Sequence, residues 1–199
     1  VILFQPELRK ALEQIGRGAI RDTSRVTDHE ENEQIVREIS NCLLSLSRRR
    51  VGALIVFEQR IGLKDIIETG TALNSRISSA LLENIFEPNT PLHDGAVVIR
   101  GNQIMAAGCF LTLSEGKSIS RELGTRHRAA LGITETTDAI TLIVSEETGI
   151  ISMAKEGRLT RHLDRMSLEQ VLLSMYHQKD SSLWSALMEK TRRRKGGAE

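Results

Sequence analysis

Apolar residues in the first quarter of the chain recur every three or four positions, which is the period of an amphipathic helix. One helix is predicted to open at Pro6 and to end near Gly16. A longer helix is predicted around Thr27 and Glu30, which stand in the spacing of a capping box. The apolar stripes of these two helices are Leu8, Leu12 and Ile15, and then Ile35, Ile39, Leu43 and Leu46.

The middle of the chain alternates short apolar runs with turn-forming residues, as the strands of a sheet do. Residues 51–57 predict a buried strand, and residues 139–145 give the strongest strand pattern. Residues 96–99 and 104–111 predict a strand pair that turns at residues 101–102. Further strands are predicted at 150–154 and 158–163, with helices around 63–67, after Ser78, from 125 to 131, and over 167–194 with a break near Asp180.

This order of elements predicts an α/β fold, in which helices flank a central mixed β-sheet. A chain of 199 residues is expected to form one compact domain with appended helices. We place that domain at residues 1–165 and a C-terminal helical extension with a basic tail at residues 166–199.

The amino-acid composition limits the classes of binding partner expected for this chain. Hydrophobic residues make up 40% of the chain and charged residues 27%, as in an ordinary globular protein. Aromatic residues make up 3%, so few stacking platforms exist for single-stranded nucleic acid. The formal net charge of +1 gives no overall field for DNA or RNA, and no nucleic-acid partner is expected. Basic clusters at 48–50 and 191–195 fit solvated helix ends, with contact to anionic lipid or nucleic acid as the alternative.

Residues 90–96, called here the Asp94 loop, place an imidazole beside a carboxylate just before a predicted strand. The pair is His93 and Asp94, and Gly95 after them lets a ligand approach the backbone because it has no Cβ. An Asp at this point is suited to hold a divalent ion or to accept a proton from a hydroxyl group. An ordinary Asp-Gly turn with an exposed His is the alternative.

Residues 124–130, called here the Arg126 segment, form a basic stretch at a predicted helix start. Arg126 and Arg128 bracket His127, and Thr125 before them can cap the helix or donate to phosphate. Free backbone N–H groups at a helix start attract anions, and guanidinium forks match phosphate oxygens. The segment therefore suits phosphate, and a solvated basic turn is the alternative.

Residues 145–149, called here the Glu147 loop, follow the strongest predicted strand. Strand ends are where α/β proteins place ligands, and a Glu there can coordinate magnesium or manganese. A charged hairpin tip is the alternative. Together, the three loops contain acidic residues suited to a metal, basic residues suited to phosphate, and hydroxyl and amide donors. This combination indicates metal-dependent nucleotide chemistry. The reaction product does not follow from these residues.

The same loops resemble the motifs of the bacterial diadenylate cyclase (DAC) domain family. Asp94-Gly95-Ala96 is similar to its D-G-A motif, and Arg126-His127-Arg128 to its R-H-R motif. The flanking residues 89–93, 122–125 and 144–149 match as well, and the resemblance covers about residues 6–163. Residues 4–9 resemble the segment that follows the membrane helices of the membrane-tethered CdaA type.

The resemblance implies an enzyme that condenses two ATP molecules into cyclic di-AMP and releases two pyrophosphates. It implies a divalent metal, Mn²⁺, Mg²⁺ or Co²⁺, and it places Phe110 where the family often has Tyr. The implied catalytic residues are Asp94, Arg126, His127 and Arg128; the nucleotide-binding residues are Gly95, Ala96, Phe110, Leu111, Thr125, Ser145 and Glu146; and the metal ligands are His93, Asp94 and Glu147.

Because each ATP is both attacker and target, the reaction calls for two identical half-sites that face each other in a homodimer. The chain begins with Val1 and carries no apolar run long enough to span a bilayer. The resemblance to the membrane-tethered type implies that an absent N-terminal region tethers this domain to the cytoplasmic face of the cell membrane. A non-catalytic nucleotide sensor, and a structural or nucleic-acid-binding module, are the competing functional hypotheses.

Overall fold

The computed structural model describes residues 30–114 and 124–176. The chain divides into two compact units, residues 1–34 and 35–199. Of the first unit, residues 30–34 are described, and they are helical. The predicted helix at Pro6, the predicted cap at Thr27, and the second C-terminal helix with the basic tail lie outside the described residues.

The second unit contains helices and strands in the predicted order, with one additional strand. The helices are α1 (30–49, beginning in the first unit), α2 (Lys64–Ile67), α3 (Ser79–Phe86), α4 (Thr125–Thr136) and α5 (165–176). The strands are β1 (Ala53–Phe57), β2 (Thr71–Arg76), β3 (Ala96–Arg100), β4 (Gln103–Cys109), β5 (Ile140–Val144), β6 (Ile151–Lys155) and β7 (Arg158–Thr160).

In the described part of the chain, the strands form one seven-stranded sheet in the order β2-β4-β3-β1-β5-β6-β7. Strand β1 pairs parallel with β3 and antiparallel with β5, and the remaining pairs are antiparallel. The sheet is therefore mixed, which confirms the predicted fold class. Every residue of β1 and of β5 is buried, as expected for central strands covered on both faces.

The core consists of two apolar clusters. One cluster joins α1, α3 and α5 to strand residues such as Ile55 and Leu142. The other joins α2 and α4 to strand residues such as Leu54 and Ile143. Since side chains alternate between the two faces of a strand, these neighbouring pairs assign the clusters to opposite faces of the sheet. Helix α4 therefore lies on the opposite face from α1, α3 and α5.

Helix α5 packs on this core although it was predicted to belong mainly to the C-terminal extension. Leu168 and Leu172 are fully buried in the cluster with α1. The Tyr176 hydroxyl donates to the carbonyl oxygen of Gly101, 3.2 Å away, and so ties α5 to the turn between β3 and β4. The domain boundary at residue 165 stays a prediction, and the first turns after it are part of the folded unit.

Two strand predictions ran past the observed C-terminal end by two or more residues, and one strand was missed. The predicted strand 104–111 ends at Cys109, and Gly108 with a φ of 66° lies within a bulged part of that strand. The predicted strand 158–163 ends at Thr160. Strand β2 was not predicted, since it is a mostly exposed edge strand without an apolar alternation. Among the described helices, none has the length and apolar character needed to cross a membrane.

Candidate active site

Asp94 is exposed at the head of β3, where the chain forms a bulge against β4. Gly95 adopts a φ of 111°, which L side chains rarely adopt. A Cβ at Gly95 would also lie 2.7 Å from the carbonyl oxygen of Cys109. The close approach of β4 therefore requires glycine after Asp94, and it fixes where the chain presents that carboxylate.

His93 has one ring nitrogen committed to the loop and one that is not. Its Nδ1 lies 2.6 Å from the carbonyl oxygen of Thr90. A carbonyl oxygen can only accept, so Nδ1 carries a proton, and in the neutral ring the lone pair is then on Nε2. A fixed tautomer of this kind is the usual arrangement of a histidine that binds a metal.

The Arg126 segment begins helix α4. Gly124 is the N-cap residue and offers no side chain to the first backbone N–H groups. The N–H groups of His127 and Arg128 donate to the carbonyl oxygen of Gly124, at 3.1 and 3.3 Å. The N–H groups before them have no acceptor within the helix, which leaves a helix start suited to an anion.

The Glu147 loop is a tight turn held against α1. Gly149 donates its N–H to the carbonyl oxygen of Ser145 at 2.8 Å, and its own carbonyl oxygen accepts from the hydroxyl of Ser47 at 2.6 Å. The Ser145 hydroxyl accepts the N–H of Thr148 at 3.3 Å. The turn therefore presents the side chains between Ser145 and Thr148 outward, and both glutamates there are exposed.

An ion pair joins the Arg126 segment to the Glu147 loop. Arg126 Nη1 donates to Glu146 Oε2 at 2.5 Å. The pair lies over Gly52, where a Cβ would be 2.8 Å from each of these two atoms. The arginine side chain is 21% exposed and the glutamate side chain 61% exposed, so the guanidinium is the more enclosed partner.

His127 follows Arg126 in helix α4, and its side chain is buried. Burial lowers the pKa of His127, the positive charge of Arg161 lowers it further, and the carboxylate of Glu147 partly opposes both effects. These effects on balance favour the neutral imidazole. Within residues 30–114 and 124–176, its Nε2 and the buried Nε of Arg126 have no hydrogen-bond partner. Buried polar atoms without partners are rare in folded proteins, so these two nitrogens mark a place where a ligand atom is expected.

Two adjoining cavities collect the predicted site residues, and both are lined by Thr125 and Arg126. The larger is lined by Leu54, Asp94, Gly95, Ala96, Cys109, Phe110, Leu111, Leu113, Thr125, Arg126 and Ala129. The smaller is lined by Gly124, Thr125, Arg126, His127, Val144, Ser145, Glu146 and Glu147. The three loops therefore converge on one continuous region. His93 and the exposed Arg128 do not line either cavity.

The predicted metal ligands do not form a closed site within one chain. Among the described residues, no group of three or more His, Cys, Asp or Glu side chains could hold a metal ion. His93, Asp94 and Glu147 therefore cannot complete a coordination sphere together, and further oxygen ligands would have to come from a substrate or a second chain. Their assignment stays a prediction, as do the roles of the other predicted site residues.

Three residues near the site were not predicted from the sequence. Gly52 makes room for the ion pair, Thr69 accepts the N–H of Phe110 at 3.0 Å through its hydroxyl oxygen, and Arg161 places a charge near His127. No pattern around Gly52 or Thr69 signals these contacts, because they arise when distant segments pack together. Arg161 lies inside the predicted strand 158–163 and directly follows the shorter observed strand β7, so its place near the site became visible only in the structure.

The described residues therefore form an α/β domain. Beside its mixed sheet, the start of α4 supplies hydrogen-bond donors suited to the phosphates of a nucleotide. Residues 40–159 match the DAC family, described as DisA bacterial checkpoint controller nucleotide-binding. The chain belongs to this family, which confirms the resemblance drawn from the D-G-A and R-H-R motifs.

Individual relatives agree with this assignment. The chain is 52% identical over 172 residues to the cyclic di-AMP synthase CdaA of Bacillus subtilis, a match that covers 86% of this chain and 63% of that protein. The chain thus spans less than two thirds of this relative's length. A cysteine double mutant of DacA from Staphylococcus aureus is 48% identical with a TM-score of 0.73, covering 74% of this chain and 98% of that one. A hypothetical membrane spanning protein from Bacillus cereus is 46% identical with a TM-score of 0.62, covering 64% and 63%.

Proposed function

We propose that this chain is the catalytic domain of a diadenylate cyclase, which joins two ATP molecules into cyclic di-AMP and releases two pyrophosphates. The observation that carries the proposal is the convergence of the Asp94 loop, the Arg126 segment and the Glu147 loop on two cavities that share Thr125 and Arg126. The name of the Bacillus subtilis relative, a cyclic di-AMP synthase, supports the same activity.

The smaller cavity suits the triphosphate of one ATP. Thr125 begins a helix whose first N–H groups are open to an anion, and Arg126 and Ser145 add a guanidinium and a hydroxyl donor. The larger cavity, with Leu111 and Phe110 on its wall, suits the adenine and ribose. Phe110 is 69% exposed, so its ring is available to an adenine.

The reaction forms one phosphodiester bond per half-site. The ribose 3′-oxygen of one ATP attacks the α-phosphorus of the other, and the bond from that phosphorus to the β-phosphate oxygen breaks. Pyrophosphate leaves with the bonding electron pair, and the proton of the 3′-hydroxyl passes to the carboxylate of Asp94 and then to water. Two such steps close the ring.

This symmetry supports a face-to-face homodimer. Asp94 is exposed at the rim of the larger cavity, where a second chain could bring its own nucleotide within reach. A nucleotide bound to a single chain has no second ATP whose α-phosphate its 3′-hydroxyl could attack. Two identical faces related by a two-fold axis supply both reacting pairs at once.

A divalent metal, Mn²⁺, Mg²⁺ or Co²⁺, fits the donors of this site. The unprotonated Nε2 of His93 and the exposed carboxylates of Asp94 and Glu147 are the ligands that would hold it. When bound, the metal supplies positive charge that neutralises the phosphates. Since these side chains form no closed cluster among the described residues, phosphate oxygens of ATP are expected to complete the coordination.

We further propose that the full-length protein holds this domain at the cytoplasmic face of the cell membrane. The Bacillus cereus relative is described as membrane spanning, and the matched region covers 63% of that chain. The match also covers 63% of the Bacillus subtilis relative, so the rest of that protein is long enough to contain membrane-spanning segments.

The test compares Asp94→Asn with Asp65→Asn, which changes an exposed aspartate in α2 that lines neither cavity. With ATP and Mn²⁺, Asp94→Asn is expected to lower the rate of cyclic di-AMP formation at least about 100-fold, because general-base catalysis contributes roughly that much. Asp65→Asn is expected to keep the wild-type rate. Full activity in Asp94→Asn would remove Asp94 from the chemistry, and ATP left unchanged by the wild type would instead favour a nucleotide sensor.

A further inference from the structure

Gly52 lies buried between the end of α1 and the start of β1, directly under the ion pair of the site. A Cβ added at Gly52 would lie 2.8 Å from Arg126 Nη1, 2.8 Å from Glu146 Oε2 and 2.9 Å from Arg126 Cζ. Any residue other than glycine carries this atom. The space that the ion pair occupies therefore exists because position 52 has no side chain.

The backbone itself does not require glycine here. The φ of Gly52 lies outside the left-handed region, in contrast to Gly95 and Gly108. The three nearest atoms are the ends of flexible side chains, so an added methyl group displaces those ends and not the main chain. A substitution at Gly52 is therefore expected to move Arg126 and to leave the fold in place.

We infer that Gly52 is a positioning residue of the phosphate site, whose missing side chain lets Glu146 hold Arg126 in the orientation that meets the nucleotide. This inference rests on the proposed function and names a residue that acts through Arg126. One edge of the guanidinium is anchored, since Nη1 donates to Glu146. Its Nε is buried and has no partner in the described part of the chain, so this donor is left for an incoming oxygen.

The test is Gly52→Ala, with Gly62→Ala as its matched control. At Gly62 no atom lies within 4 Å of the added Cβ, and that position lines neither cavity of the site. Gly52→Ala is expected to lower kcat/KM for ATP about 100-fold, because a misplacement of about 1 Å can cost that much. Its Tm is expected to stay within roughly 3 °C of the wild type. Gly62→Ala is expected to keep both values.

A second background separates positioning from general disturbance. In Glu146→Ala, Arg126 is no longer held over position 52. The double variant is therefore expected to have a kcat/KM less than about fivefold below that of Glu146→Ala alone. Equal fold losses in the two backgrounds would mean that Gly52 does not act through this pair. Wild-type activity in Gly52→Ala would also overturn the inference.

Binding of a non-hydrolysable ATP analogue distinguishes this inference from the proposed function. Gly52→Ala is expected to weaken the analogue about 10-fold, as the loss of a charge-assisted hydrogen bond does. A wild type that binds the analogue but forms no product would contradict the proposed function, and the weakened binding in Gly52→Ala would still support the positioning role. Unchanged affinity in Gly52→Ala would contradict the positioning role whatever the product.

Discussion

At the scale of single residues, the site depends on polar atoms that the folded chain leaves without partners. Arg126 Nε and His127 Nε2 are both buried and unpaired in the described structure. An unsatisfied buried donor or acceptor costs about 1–3 kcal/mol. The free-energy cost of these two unpaired nitrogens falls at the start of α4, beside the cavity that suits phosphate. This placement is consistent with a site in which part of the hydrogen bonding is completed by the nucleotide.

The neutral state of His127 predicts a pH dependence of stability. Its pKa is lowered in the folded chain, mainly by burial, so between that lowered pKa and about 6.5 the unfolded chain binds more protons. This contribution to stability is fully present above about pH 6.5 and is lost as the pH falls through the folded pKa. The Tm of the metal-free protein is therefore expected to fall below about pH 6.5, and to fall less in His127→Asn.

The matched control is His162→Asn, which changes an exposed histidine whose φ of 63° asparagine tolerates. It is expected to keep the wild-type slope of Tm against pH. A His127→Asn variant with the same slope as the wild type would show that this imidazole does not titrate on unfolding.

The sequence identified side chains that line the two cavities better than the residues that pack behind them. The cavities collect Asp94, Arg126 and Glu147, which were predicted because carboxylate, guanidinium and helix-start motifs are chemically distinctive. Gly52 and Thr69 were missed, because their contacts with the site form only when distant segments pack together. Such information exists only after distant segments meet, so no local pattern could supply it.

At the scale of elements, the central strands were predictable and the edges were not. Strands β1 and β5 are fully buried runs of aliphatic residues, so their hydrophobicity alone identifies them. Strand β2 pairs with one neighbour and is mostly exposed, and it contains Asn74 at a φ of 48°. An edge strand of this kind has no periodic pattern of apolar residues from which it could be predicted. The early end of β4 matters for the site, because it releases Phe110 and Leu111 from the sheet to line the larger cavity.

Helix α4 is expected to be sensitive at Gly132, where it meets the segment after β4. A Cβ at Gly132 would lie 2.1 Å from the carbonyl oxygen of Thr112, so backbone would have to move. Alanine gains about 1 kcal/mol over glycine in a helix, but overpacking against backbone costs about 1–3 kcal/mol or more. Gly132→Ala is therefore expected to lower the Tm by several degrees.

Thermal unfolding followed by circular dichroism checks this expectation, with Gly62→Ala as the open-position control. The same displacement should disturb residues 110–114, since Ser114 donates its N–H to the carbonyl oxygen of Arg128 at 3.0 Å. A Tm equal to or above that of the wild type would show that α4 and this segment have room to separate.

At the scale of the whole molecule, the proposed reaction needs two chains. The initial rate per chain is expected to fall as the protein is diluted below the dissociation constant of the dimer, because each chain supplies half of the reacting atoms. Sedimentation at the same concentrations gives the fraction of dimer, and the rate per chain should follow it. A constant rate per chain in a preparation shown to be monomeric would contradict the two-chain mechanism.

Under the proposed function, three separated loops converge on the phosphates of one ATP and make it react with a second. The most direct measurement incubates the purified chain with ATP and Mn²⁺, identifies the products by chromatography and mass spectrometry, and repeats this with a metal chelator. We predict one cyclic di-AMP and two pyrophosphates for every two ATP consumed, and no product with the chelator. Hydrolysis to ADP or AMP, or ATP that binds and remains unchanged, would contradict the account.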